Sequence, residues 1–189
     1  KERLAARLGL RANDVWASTF HSACVRILRR DIDKLGFAKD FTIYDTDDSK
    51  RVIKDVVKEL KLEEKSFQPR EVLSVISTAK DKYETPEDFQ ANEASNGDWR
   101  LARIAKIYAR YEEKLQAANA LDFDDLIFHT VTLLKRCPEV REYYQNKFRY
   151  VLVDEYQDTN HLQYLLTSLL AGGRKNLCVV GDDDQSIYR

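Results

Sequence analysis

Two short apolar runs near the end of the chain constrain its fold more than any other feature. Tyr150-Val-Leu-Val153 ends in two adjacent carboxylates, Asp154 and Glu155, followed by Gln157 and Asp158. Leu177-Cys-Val-Val180 ends in Gly181-Asp182-Asp183-Asp184-Gln185. Short β-branched runs closed by acids and glycine read as strands. Between them Asn160 is placed to cap a helix with Leu162, Leu165, Leu166 and Leu169 inward, and Gly172-Gly173 stops it. Strand, helix, strand in that span is a βαβ unit. It makes the two strands parallel and gathers both acidic loops at one carboxyl edge, where open α/β sheets carry their chemistry.

The preceding chain has a different rhythm. Lys1–Leu10 carries helix formers, with Leu4 and Leu8 four apart, and Val15-Trp-Ala-Ser-Thr19-Phe20 is a short β-prone run. From Ser22 the period turns helical: Val25, Leu28, Ile32 and Leu35 share a face, and Gly36 ends it. Helices are expected after Thr46, at Pro69 and Pro86, and after the turn Asn96-Gly97-Asp98. The last of these has Leu101, Ile104, Tyr108, Tyr111 and Leu115 inward. No strand pair is expected between Ser22 and Asn119, so this stretch reads as an all-helical block set between two β-containing pieces. Leu121-Asp122-Phe123-Asp124-Asp125-Leu126 then opens a helix, and Pro138 opens another.

Composition narrows the function classes. A net charge of −1, with 43% hydrophobic and 33% charged residues, gives no basic field that would announce nucleic acid. Three scattered cysteines without a CxxC pair suit a reducing compartment, so the expected location is cytoplasmic. No apolar run approaches the roughly 18 residues of a membrane span. The chain starts at Lys1 and contains no Met, which is expected of a piece of a longer protein.

Four constellations carry chemistry. A carboxylate at a strand end, here Asp154, can hold Mg²⁺ beside nucleotide phosphates, and the adjacent Glu155 can polarise an attacking water. The bland alternative is that both merely cap the strand-to-helix turn. Gln185 offers a neutral donor to a terminal phosphate, while the three acids before it diverge too much to share one metal. Thr19-Phe20-His21-Ser22, at a helix entry, suits a nucleic-acid phosphate, against the plainer reading of Ser22 as a cap. Phe123, flanked by acids, can stack a base or serve as a hydrophobic staple. None of the six glycines fits GxxxxGK[ST], the phosphate-cradling loop, and Gly172-Gly173-Arg174-Lys175 has the wrong spacing. The residues present make half of a nucleotide site.

Taken in order, STFHS, LDFDDL, VDEYQDT and VGDDDQSIYR resemble the superfamily-one DNA helicases of the UvrD/Rep/PcrA group, over nearly the whole chain. The resemblance implies an α/β fold. A partial RecA-like (P-loop NTPase) parallel sheet core, residues 1–22 and 121–189, would carry a large inserted all-helical subdomain at residues 23–120. It also implies ATP and Mg²⁺ as cofactors, and single-stranded DNA and a duplex junction as partners. Asp154 would coordinate Mg²⁺ and Glu155 would activate water. Gln185 would contact the γ-phosphate, and Gln157 would link nucleotide and DNA sites. Thr19, His21, Phe123 and Tyr188 would line the single-strand track. Lys80, with Lys82, would touch the duplex from the helical block. The parent would be a 3′-to-5′ motor, its phosphate loop before Lys1 and its second RecA-like domain after Arg189. The chain alone would hydrolyse no ATP. The competing classes are a non-catalytic DNA- or protein-binding module and a metal nuclease; no Lys is spaced with the acids for the latter.

Overall fold

Local chemistry starts most of the helices. The computed structural model describes residues 6–7, 9–94 and 97–182. Helix α1, Phe20–Asp31, begins at Thr19, whose Oγ1 accepts the Ser22 N–H, and a 3₁₀ turn, Ile32–Leu35, carries it to Gly36. Gly36 has φ +89°, a left-handed turn that glycine adopts without the Cβ penalty. Helix α2, Thr46–Glu59, starts with a reciprocal capping box between Asp45 and Asp48. Helices α3, Pro69–Asp81, and α4, Pro86–Ala94, begin on proline, whose missing N–H costs nothing in a first turn. Helix α5, Trp99–Ala117, is capped by Asp98. Helix α6, Phe123–Arg136, is capped by a second reciprocal box, Asp122 with Asp125, and α7, Pro138–Lys147, follows on proline.

The C-terminal unit is the βαβ the sequence implies. Strand β3, Val151–Val153, runs parallel to β4, Leu177–Val179, with Val151 opposite Leu177 and Val153 opposite Val179. Between them lies α8, His161–Ala171, capped by Asn160 accepting the Gln163 N–H. Val153 is buried, but Leu152, Leu177, Val179 and Val180 are exposed. The chain is thus a mostly helical α/β protein with small parallel sheets.

Two expectations are corrected. The block is not all-helical: β1, Thr42–Ile43, lies within it and pairs in parallel with β2, Ala120–Leu121, just beyond Asn119, through the Thr42 and Tyr44 N–H groups on Asn119 O and Leu121 O. Val15–Phe20 is not a strand. Its Trp16 instead packs edge-on against Phe148 at 5.0 Å, under the Arg26 guanidinium.

Apolar side chains gather into two cores. One joins Cys24, Ile27 and Leu28 of α1 to Leu126, Val131 and Leu134 of α6, with Tyr144 of α7 and Leu162 and Leu166 of α8. The other joins Ile53 and Val56 of α2, Val72 and Ile76 of α3, and Ile104, Tyr108 and Tyr111 of α5.

Candidate nucleotide and nucleic-acid site

At the carboxyl edge of the β3–β4 pair the two loops are tied together. The Val180 N–H donates to Val153 O at 2.8 Å, and the Tyr156 N–H returns to Val180 O at 2.9 Å. Asp154 and Glu155 are both exposed here. The Glu155 N–H donates to Asp154 Oδ1 at 3.1 Å, and Glu155 itself has φ +51°. A non-glycine residue in that region is strained, and such strain persists where the surroundings enforce it. Gln157, in the 3₁₀ turn Tyr156–Asp158, fastens both loops: its Nε2 donates to Glu155 Oε2 at 2.6 Å, and its Oε1 accepts the Asp182 N–H at 3.1 Å. Gly181 leaves room for this, since a Cβ there would lie 2.7 Å from Gln157 Oε1. Two exposed carboxylates, one steadied by an amide, are hard oxygen donors of the kind Mg²⁺ takes alongside water. Gln185 and Tyr188, and with them Asp183 and Asp184, lie outside the described residues, as does Asn96 of the turn before α5.

A second constellation forms where α1 and α6 begin. Thr19 is exposed and serves as the N-cap, so Ser22 is not the cap; the Thr19 hydroxyl also donates to Ser22 Oγ at 3.1 Å. His21 stacks on Phe123, ring centroids 3.9 Å apart and planes 23° from parallel. Burial lowers the His21 pKa, and Asp124 opposes this only partly, so the imidazole is neutral near pH 7. Phe123 is 58% exposed. It is therefore not a buried staple; one aromatic face is presented on a shelf beside a helix N-terminus.

The whole of the chain, residues 1–189, matches the UvrD/REP helicase N-terminal domain. This chain belongs to that family. It is 53% identical over 188 residues to the ATP-dependent DNA helicase PcrA of Staphylococcus aureus (strain Mu50), and 52% identical over 189 residues to that of Bacillus subtilis (strain 168). The Staphylococcus epidermidis PcrA is likewise 53% identical. In each case the match takes in 100% of this chain and 25% of the relative, so the chain spans about a quarter of the length of the curated relatives it matches.

Within this UvrD/REP domain, Lys80 is not where a duplex contact needs it to be. It is buried to 1% exposure, and its ammonium lies 2.8 Å from Asp122 Oδ2, 2.6 Å from Asp125 Oδ1 and 2.9 Å from Glu112 Oε1. Burial acts to lower the Lys80 pKa, but the three carboxylates outweigh it and hold the pKa well above the ordinary lysine value. For Asp122, burial opposes ionisation, yet Lys80, the Asp125 N–H and the Tyr111 hydroxyl bring its carboxyl below the usual range. Burial and the neighbouring Asp122 and Glu112 push Asp125 up. The spacing carried a signal: Val72, Ile76 and Lys80 recur every four residues on the buried stripe of α3. Lys82, by contrast, is exposed at the end of α3. Glu112, Asp125 and His129 offer ligand atoms within 4.8 Å of one another. Two of the three, Glu112 and Asp125, are already ion-paired to the Lys80 ammonium, at 2.9 and 2.6 Å.

Proposed function

We propose that this chain is the part of an ATP-dependent 3′-to-5′ DNA helicase that holds one wall of the nucleotide site and part of the single-strand track. The observation that carries the reading is the Gln157 bridge. It couples Glu155 at the end of β3 to the backbone of the loop after β4, at the edge where a RecA-like core engages phosphates.

In this reading Asp154 holds Mg²⁺, which when bound neutralises phosphate charge. Glu155 orients and deprotonates the attacking water, and Gln157 keeps its carboxylate aimed. The other end of Gln157 rests on the loop leading to Gln185, a route by which phosphate contact is passed toward DNA. Thr19 and His21 meet the strand at the entry of α1, and Phe123 stacks a base. Stacking of this kind is worth ~1–3 kcal/mol per base without sequence preference, as a translocating motor requires. With no phosphate-cradling glycine loop in these 189 residues, the isolated chain is expected to hydrolyse no ATP.

We propose that the helical insert begins near Thr42, not at residue 23, a reading supported by the packing of α1 with α6 and α8. The β1–β2 pair then forms the neck through which α2–α5 leave and rejoin the RecA-like core. Among the described residues, no helix is long and apolar enough to cross a membrane. Cytoplasmic DNA repair or replication is the setting we propose.

The test is Glu155→Gln in the full-length parent. Nucleotide binding is expected to persist while DNA-stimulated turnover is lost; unchanged turnover would remove Glu155 from its role.

A further inference from the structure

Phe123 is largely exposed, so its direction depends on the backbone of the first turn of α6. That turn is held by the two carboxylates that flank the ring. Asp122 Oδ1 accepts the Asp125 N–H at 2.8 Å, and Asp125 Oδ2 accepts the Asp122 N–H at 3.0 Å. The other oxygen of each receives the Lys80 ammonium from α3, and the Tyr111 hydroxyl of α5 donates to Asp122 Oδ2 at 2.9 Å. Three helices therefore meet at one capping box. Two of them, α3 and α5, belong to the second core, and α6 belongs to the first.

An arrangement like this is a poor way to gain stability. Desolvating an ammonium and carboxylates offsets most of their attraction, and well-packed apolar residues do as well or better. What buried ion pairs supply is geometry, since each partner has one place to be. Here the geometry they fix is the backbone that carries Phe123.

We propose that Lys80 is a positioning residue for nucleic-acid binding: by clamping Asp122 and Asp125 it fixes the first turn of α6 and holds Phe123 stacked on His21, ready for a base. The inference rests on the single-strand reading given above. Lys80 acts without touching the nucleic acid, and Tyr111 assists it. The same clamp ties the helical bundle to the aromatic shelf, so a shift of α3 against α6 displaces Phe123.

The experiment uses the full-length parent and an oligothymidylate strand, reading the strand concentration that half-maximally stimulates ATPase. Phe123→Ala is expected to raise that concentration about ten-fold, the equivalent of a stacked base. Lys80→Met keeps the aliphatic stem and removes the charge. It is expected to raise the concentration to a similar degree, with the rate at saturating strand within about two-fold of the unaltered protein. The double variant should bind no worse than Phe123→Ala alone, because both changes remove one interaction. Additive losses, or no shift with Lys80→Met, overturn the positioning role while leaving the single-strand reading intact. No shift with Phe123→Ala overturns both. Should Lys80→Met fail to fold, Tyr111→Phe decides. It removes one hydrogen bond to Asp122 and leaves every charge. The NMR resonances of the His21 ring, shifted by the Phe123 ring current, are expected to move toward their Phe123→Ala positions. A His21 signal unmoved by Tyr111→Phe overturns the proposal.

Discussion

His129 should make the folded chain acid-sensitive. It lies on α6 one turn beyond Asp125, with 15% of its side chain exposed and Nε2 3.8 Å from Asp125 Oδ1. The Phe37 and Phe128 rings flank it at 5.1 and 5.8 Å. Burial, helped by the Lys80 ammonium and only partly opposed by Asp122, brings its pKa from 6.5 to about 4. The fold therefore prefers the neutral ring. Above pH 6.5 neither state takes a proton, and the contribution of His129 is fully present. As pH falls from 6.5 toward about 4, the unfolded chain binds a proton that the fold refuses, and stability is lost. The gap corresponds to about 3 kcal/mol once pH lies below both values, of which about 2 kcal/mol is gone by about pH 5. Asp125 and Glu112 have raised pKa values, so folding takes up protons at those carboxylates and their contribution runs in the opposite direction. The comparison must therefore be with His129→Gln, which leaves them in place. Urea unfolding followed by circular dichroism, from about pH 7 to about pH 5, should show the unaltered chain losing about 2 kcal/mol more than the variant. Equal losses in the two proteins would refute the buried, neutral imidazole.

Two further changes test the site and the helical bundle. Gly181→Ala would drive a Cβ to within 2.7 Å of Gln157 Oε1 and dislodge the amide from Glu155. A hydrogen bond to a charged group is worth ~1.5–3 kcal/mol, so turnover of the full-length parent should fall about ten-fold or more with nucleotide affinity nearly unchanged; a loss confined to nucleotide affinity would contradict the bridge. Ile104→Ala, at a fully buried position on α5, should cost about 2–5 kcal/mol in urea unfolding, and a cost below about 1 kcal/mol would mean that α5 does not seal the second core.

What was legible in the sequence was local. Asp98 and Asn160 announce helix starts because a cap needs only its own first turn, and Pro69, Pro86 and Pro138 do so because φ is preset. The βαβ unit was readable from two apolar runs and one capped helix. The illegible parts depend on distant partners. A two-residue strand such as Thr42–Ile43 has no periodicity, and it exists only because Ala120–Leu121 lies beside it. The stripe Val25, Leu28, Ile32 shows that α1 has a buried face, but not that the face meets α6 and α8 rather than the neighbouring helices. The charge of Lys80 points to a surface contact, whereas its four-residue spacing from Ile76 puts it on the buried stripe of α3.

The LDFDDL segment shows why charge alone does not decide burial. Its pattern leaves Phe123 open between stacking a base and stapling the helix start, and gives no sign that the acids beside it are buried. Asp122 and Asp125 are buried at 7% and 1% exposure, while Phe123 between them is at 58%. Turning carboxylates inward and a phenyl ring outward is unfavourable on both counts, so the arrangement needs compensation from elsewhere. The buried acids find it in Lys80, Tyr111 and each other's N–H groups. The ring finds only part of it in His21, which covers one face. The segment thus departs from the burial rule in both directions at once, with its polar half satisfied and its apolar half left open. In the single-strand reading proposed above, the open face is where a nucleic-acid base would stack, and the compensation missing from the free chain would come from that base.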